Sequence, residues 1–465
     1  MRYVFLINLF LILLTLMPQS SIAQDNAQKG WEAYNQGDYA KALEFFTYHL
    51  NSSPKDAIVL HGRASTYIQY GEYAKALSDI NNSIKFYSQK DKENLSKAYW
   101  ARGNIYVAIE DIDKGLNDYN TAIKLNSKPI GILDARAHLY FTQSKYEKSN
   151  QDYYTILEID ESQSFAYVGL GRNYLAQKLY EDAINMLTIA IKLSPNYSYA
   201  FSMRAWTYMK LDQYEQAISD YTKVIEISED NDASVFYFLG NCYEEKGNYD
   251  QAILNYEKAI NLANEEPEFY YSWGDAKRLS GDFNSAIEGF TKAIELAPTY
   301  SYAYYRRGWS YEFIHEYDKA LIDYNRAIEI EPEYAYTYLN RGRLLEIMNR
   351  SKDAKKDYET IICLDDTIRK AGNCKQYALW YLGRKDEAIE RQNEILKEYP
   401  TSGNFYDAAC LYSLMNEQEW ALRYLETALQ KGYRDFHHIR VDDDMDNIRE
   451  LPRFNELVRV YKNLK

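Results

Sequence analysis

Near the C-terminus the run HHIRVDDDMD gathers His437, His438, Asp442, Asp443, Asp444 and Asp446 within ten residues. Carboxylates suit hard cations and imidazoles suit transition metals, so this is the densest set of metal-type ligands in the chain. An EF-hand loop, however, needs a central glycine and a glutamate at its twelfth position, and the run has neither. It reads as a solvated acidic turn, and no metal is expected. Cys242, Cys363, Cys374 and Cys410 are scattered, with no C-x-x-C among them. Pairing of Cys363 with Cys374 stays open in an oxidising compartment. His61, His138 and His315 stand alone in sequence. There is no G-x-S-x-G, no H-E-x-x-H, no P-loop and no dinucleotide fingerprint. The expectation is a protein without catalytic residues or cofactor, not an enzyme.

What remains for chemistry is a surface. The 465 residues carry 54 basic and 68 acidic side chains, a net charge of -14, which disfavours nucleic acid and anionic membranes as partners. Tyrosine occurs 48 times. At the N-terminus, VFLINLFLILLTLM follows Arg2, and then PQSSIAQ places Ser21 and Ala23 before Gln24. That order of charge, apolar run and small residues reads as a secretory signal peptide over residues 1–23, cleaved near Ala23. The expected location is secreted or periplasmic, with no membrane span in the mature chain.

The rings recur on a period. Gly30, Ala64, Gly103, Ala137, Gly171, Ala205, Gly240, Gly274, Gly308 and Gly342 fall 34 residues apart, except for steps of 39 before Gly103 and 35 before Gly240. Twelve residues after each stands a second small position: Ala42, Ala76, Gly115, Ser149, Ala183, Ala217, Ala252, Ala286, Ala320 and Ala354. Small side chains at fixed intervals let two helices approach closely, and a pair of short helices buries too little to stand alone. Stacking repeats supplies the continuous core. In the stretch from Ser301, Tyr304, Gly308 and Tyr311 share one helical face, HEYD turns, and Ala320, Tyr324, Ala327 and Ile328 form the buried side of a second helix before Pro332 ends it.

This pattern resembles the tetratricopeptide repeat family. Tyr304, Gly308, Tyr311, Tyr317, Ala320, Tyr324, Ala327 and Pro332 meet its consensus, with His315 where the turn glycine belongs. Phe236, Gly240, Tyr243, Gly247, Tyr249, Ala252, Tyr256 and Ala259 meet it as well, up to the closing proline. Ser149, Gly115, Lys277 and Gln376 depart from it. The resemblance implies an all-α, right-handed superhelical solenoid of antiparallel helix pairs. About twelve repeats would span 24–431, and a C-terminal extension with a capping helix would span 432–465, sealed by Leu451, Phe454, Leu457 and Val458.

In that family the first helices line a concave face that takes extended peptides or protein elements. Carried over by position, the expected partner-binding residues are Tyr302, Tyr305, Trp309, Glu312, Tyr336, Arg343, Tyr271, Arg278, Tyr237 and Trp206. Tyr and Trp bury large area at modest entropic cost, and Arg adds fixed donors. The expected function is a non-catalytic interaction scaffold of the cell envelope or secretome. Its partner would be a protein or extended peptide, with self-association open. A glycan or cell-wall ligand stacking on the same rings is the alternative.

Overall fold

The computed structural model describes residues 19–228, 232–365, 374–434 and 436–462, apart from the side chains of 19–25, His437 and Val441. Most of the expected signal peptide (1–18) therefore lies outside the described residues. Helix Gln19–Asn35 runs through the expected cleavage point at Ala23. The described residues contain helices and turns and no strand. They form two compact units, 1–207 and 208–465, whose boundary falls inside the helix Ser198–Lys210.

In each unit the period folds as an antiparallel helix pair, for example Tyr180–Leu193 after Ser164–Ala176, or Tyr317–Ile330 after Ser301–Phe313. Each first helix is ended by one residue in the left-handed region. Glycine takes this place at Gly37, Gly71, Gly247, Gly281 and Gly383, with φ between 70° and 88°. Other residues accept it elsewhere, among them Lys178 (φ 60°) and His315 (φ 62°). The turn closes by back-bonding: His315 N–H donates to Glu312 O and Glu316 N–H to Tyr311 O, both at 2.9 Å, so the last carbonyls of the helix are satisfied.

The small residues do what their spacing predicts. A Cβ on Gly240 would sit 2.6 Å from the Tyr256 ring, and one on Gly308 would sit 3.0 Å from Tyr324. Ala252, Ala286 and Ala320 are fully buried. The departures are also accommodated. Ser149 is buried but donates to Ala137 O at 2.8 Å and accepts from Asn173 at 2.9 Å, which satisfies its hydroxyl. Gly115 leaves room for Val107, whose methyl would lie 2.7 Å from an added Cβ. Gln376 is fully buried, and neither amide atom has a hydrogen-bond partner among the described residues.

A second rule, not drawn from the sequence alone, locks the pairs. The arginine just before the small residue of the first helix grips an aspartate sixteen residues on, as Arg63–Asp79, Arg102–Asp118, Arg136–Asp152, Arg307–Asp323 and Arg341–Asp357. The grip is bidentate, with Arg307 Nε and Nη2 donating to Asp323 at 2.7 and 2.8 Å. A further N–H reaches back one repeat, to Thr291 from Arg307 and to Asn325 from Arg341. Where the arginine is absent, so is the aspartate: the equivalent pairs are Lys29 with Phe45, Leu170 with Met186, Leu239 with Asn255, and Trp273 with Gly289. Gly289 is required by its partner, because a Cβ there would lie 2.8 Å from the Trp273 ring.

After helix Gln418–Gln430 the second unit ends in Phe436–Val441, a short 3-10 turn Asp443–Met445, Asp446–Arg449 and Pro452–Lys462. Ile439, Met445, Ile448, Phe454, Leu457 and Val458 are buried in one core with Leu425 and Leu429, and Leu451 packs on it half-buried. All four cysteines are free thiols. Cys363 is exposed and the other three are buried.

Candidate functional site

A cavity of about 430 Å³ lies within the second unit. Successive first helices build its wall, because residues three and four apart on each share a face. Helix Pro267–Leu279 contributes Arg278. Helix Ser301–Phe313 contributes Tyr305, Trp309 and Glu312, and helix Ala335–Ile347 contributes Tyr336 and Arg343. Helices Lys375–Tyr381 and Ser402–Leu414 add Tyr377, Tyr406, Asp407 and Cys410. The C-terminal extension then folds against this wall and presents His438, Asp442, Asp443 and Asp444 to the same cavity.

Contacts with neighbouring side chains hold most of these groups in place. The Arg278 guanidinium lies 4.3 Å from the Trp309 ring centroid and donates to Asp275 at 2.7 Å. Arg306 also stacks near Trp309, at 5.4 Å, and reaches Asp275 at 3.5 Å. Burial raises the pKa of Asp275, but the Arg306 and Arg278 guanidiniums outweigh it and hold the carboxyl below its ordinary range. Tyr305 is buried and its hydroxyl accepts from Asn340 at 3.1 Å. Glu312 accepts from the Tyr324 hydroxyl at 2.8 Å, and burial pushes its carboxyl above the ordinary range.

Arg343 Nη2 lies 2.9 Å from Asp444 Oδ1, and that carboxylate raises the guanidinium well above its ordinary value. Asp444 itself is buried, which pushes it up to about 6 in spite of Arg343. Asp442 accepts from the Tyr406 hydroxyl at 2.8 Å and from Asp444 N–H at 3.0 Å. The acidic run is thus a turn packed on the wall through Asp442 and Asp444, not the fully solvated one its composition suggests: the Tyr406 hydroxyl donates to Asp442 and the Arg343 guanidinium pairs with Asp444.

Six of the ten expected binding residues line this cavity: Arg278, Tyr305, Trp309, Glu312, Tyr336 and Arg343. The other four lie elsewhere. The Tyr302 ring sits 5.0 Å from that of Tyr334. Tyr271 packs on Tyr300 at 5.1 Å and on Phe290 at 5.6 Å, and Tyr237 stacks on Phe269 at 4.9 Å. Trp206 belongs to the first unit and is 37% exposed. Sequence reasoning missed Tyr377, Tyr406 and the acidic turn as lining residues. The departure from period after Gly432 was the available signal, since a non-repeating segment must pack somewhere.

The cluster of Cys410, Asp442 and Asp444 brings three ligand atoms within 4.8 Å of one another. Arg343 already neutralises Asp444, and burial pushes the Cys410 thiol well above its usual value. The thiol stays protonated, so the cluster gives no enzymatic signal. The side chain of His437 lies outside the described residues.

Paired helices with small-residue seams and ring-lined first helices define an all-α helix-repeat protein. Tetratricopeptide repeat profiles match residues 96–129, 199–265, 267–300 and 301–334. The chain is similar to tetratricopeptide repeat protein 12 of Mus musculus, with 32% identity over 101 residues, 22% of this chain and 14% of that one. It is also similar to RNA polymerase II-associated protein 3 of Xenopus tropicalis, with 30% identity over 99 residues, 21% of this chain and 14% of that one. The chain thus spans only 14% of the length of each of these curated relatives. A solved tetratricopeptide repeat protein from Parabacteroides merdae aligns over 55% of this chain and 98% of its own, with 20% identity and a TM-score of 0.42.

Proposed function

We propose that this protein is a non-catalytic interaction scaffold whose second unit binds a peptide or protein segment in the cavity between its first helices and its C-terminal extension. The observation that carries this reading is the cavity itself, about 430 Å³ walled by Tyr305, Trp309, Tyr336, Tyr377 and Tyr406 beside fixed guanidiniums. Rings and arginines of this kind dominate protein interfaces, because they bury much area with few rotatable bonds. The repeat family supports the same reading. One similar protein is named as associated with RNA polymerase II. The apolar run and small residues ahead of Gln24 support placing the scaffold in the envelope or secretome.

The test is a photo-crosslinking amino acid at Trp309 in the full-length chain, followed by mass mapping of the captured species from native envelope or secretome. Protein adducts that vanish when the crosslinker is moved to exposed Tyr48 support the scaffold. Adducts to glycan alone would transfer the same rings to carbohydrate stacking.

A further inference from the structure

The charges around the cavity narrow the partner's chemistry. Five carboxylates line it (Glu312, Asp407, Asp442, Asp443 and Asp444) against two guanidiniums, Arg278 and Arg343. Both guanidiniums are engaged: Arg278 on Asp275 at 2.7 Å and Arg343 on Asp444 at 2.9 Å. An entering carboxylate would have to displace one of these partners in a lining where carboxylates outnumber guanidiniums five to two. A neutral glycan could donate hydroxyls to these carboxylates but would not draw on their net charge. An entering cation meets it directly.

Three further features agree. Asp443 is an exposed member of the turn and lines the cavity. Asp444 is 7% exposed, and its Oδ1 has no aligned hydrogen-bond donor despite the proximity of Arg343. The Tyr336 ring in the same lining has the negative face that attracts ammonium and guanidinium groups. Carboxylates and aromatic faces in one partly desolvated cavity make a cation receptor.

We propose that the cavity takes a basic side chain, lysine or arginine, of an extended peptide, held between Glu312 and Asp443 and beside the ring of Tyr336. This rests on the scaffold reading and adds the sign of the partner. Two of the carboxylates are open to a clean test. Glu312→Gln keeps an acceptor for the Tyr324 hydroxyl, and Asp443 is an exposed turn residue with no hydrogen-bond role in the wall.

The experiment is isothermal titration of the full-length chain with four probes: the blocked peptide Ac-SGKLKGS-NH2, its versions with both lysines changed to glutamate or to glutamine, and chitotetraose. The lysine peptide should bind saturably. It should weaken at least tenfold in the Glu312→Gln/Asp443→Asn double variant, with no drop in melting temperature, and binding to the wild-type chain should weaken with added salt as an ion-driven contact must. Equal or tighter binding of the glutamate peptide would overturn the proposal and leave peptide binding standing. Lysine-peptide binding that the double variant leaves intact would overturn it at this cavity. Binding of chitotetraose alone would overturn both readings. If none of the four probes binds, the cation proposal fails, while the crosslinking experiment decides the scaffold independently.

Discussion

Removing the Asp323 carboxylate is the sharpest test of how the helix pairs are locked. Asp323 is 3% exposed and its Arg307 partner 17% exposed as side chains, with two N–H···O bonds at 2.7 and 2.8 Å. Burial pushes the Asp323 carboxyl above its ordinary range even with Arg307 beside it, so attraction does not fully offset desolvation. Asp323→Ala leaves a guanidinium stranded between the Tyr304 and Tyr311 rings, whose centroids lie 5.6 and 6.0 Å away. Stranding a buried charge costs about 3–5 kcal/mol. Replacing both partners, as Arg307→Leu/Asp323→Leu, removes the stranded charge and should return to within about 1 kcal/mol of wild type. Because repeats unfold piecewise, global melting alone is a blunt measure. Amide exchange in helices Ser301–Phe313 and Tyr317–Ile330 is the direct readout, and the single variant should speed it while the double variant should not. If Asp323→Ala exchanged and melted like wild type, the clip would be ornamental and the absence of both partners at Trp273 and Gly289 coincidental.

Glu244 is pushed up to about 7 by burial and by the neighbouring Asp275. A raised folded-state value means stability is fully present below pH 4.5 and is lost as pH rises through about 7, on the order of 3 kcal/mol in all. Glu244→Gln should therefore melt higher than wild type at pH 8 and equally at pH 4.5. Lys178 holds a left-handed φ of 60°, so Lys178→Gly should stabilise by about 1 kcal/mol, read as a raised melting temperature. Trp309→Ala should cost about 1–2 kcal/mol of stability through lost contact with Arg278, but about 2 kcal/mol or more of partner binding; the reverse ranking in paired melts and titrations would make the ring structural. Truncation after Gly432 strips Met445, Ile448, Phe454, Leu457 and Val458 from the terminal core, and sedimentation should then show association.

The helix pairs were legible because their determinants are local and repeat. A small residue, a ring sixteen positions on and a left-handed turn residue between them specify a pair whatever lies elsewhere, as Gly308, Tyr324 and His315 do here. The groove face was legible in part for the same reason: Trp309 and Glu312 follow Tyr305 at helical spacing, and all three reach the cavity. Tyr271 and Tyr237 miss it because nearby rings absorb them, and a periodic pattern does not distinguish a ring that meets a neighbour from one that meets a ligand. Only the tertiary structure brings Asp444 to Arg343 across about a hundred residues of sequence. The 34-residue period encodes contacts between adjacent repeats. A non-repeating segment lands where buried apolar area and unpaired charge are best satisfied together, and here Met445 and Ile448 carry the acidic turn into the groove wall.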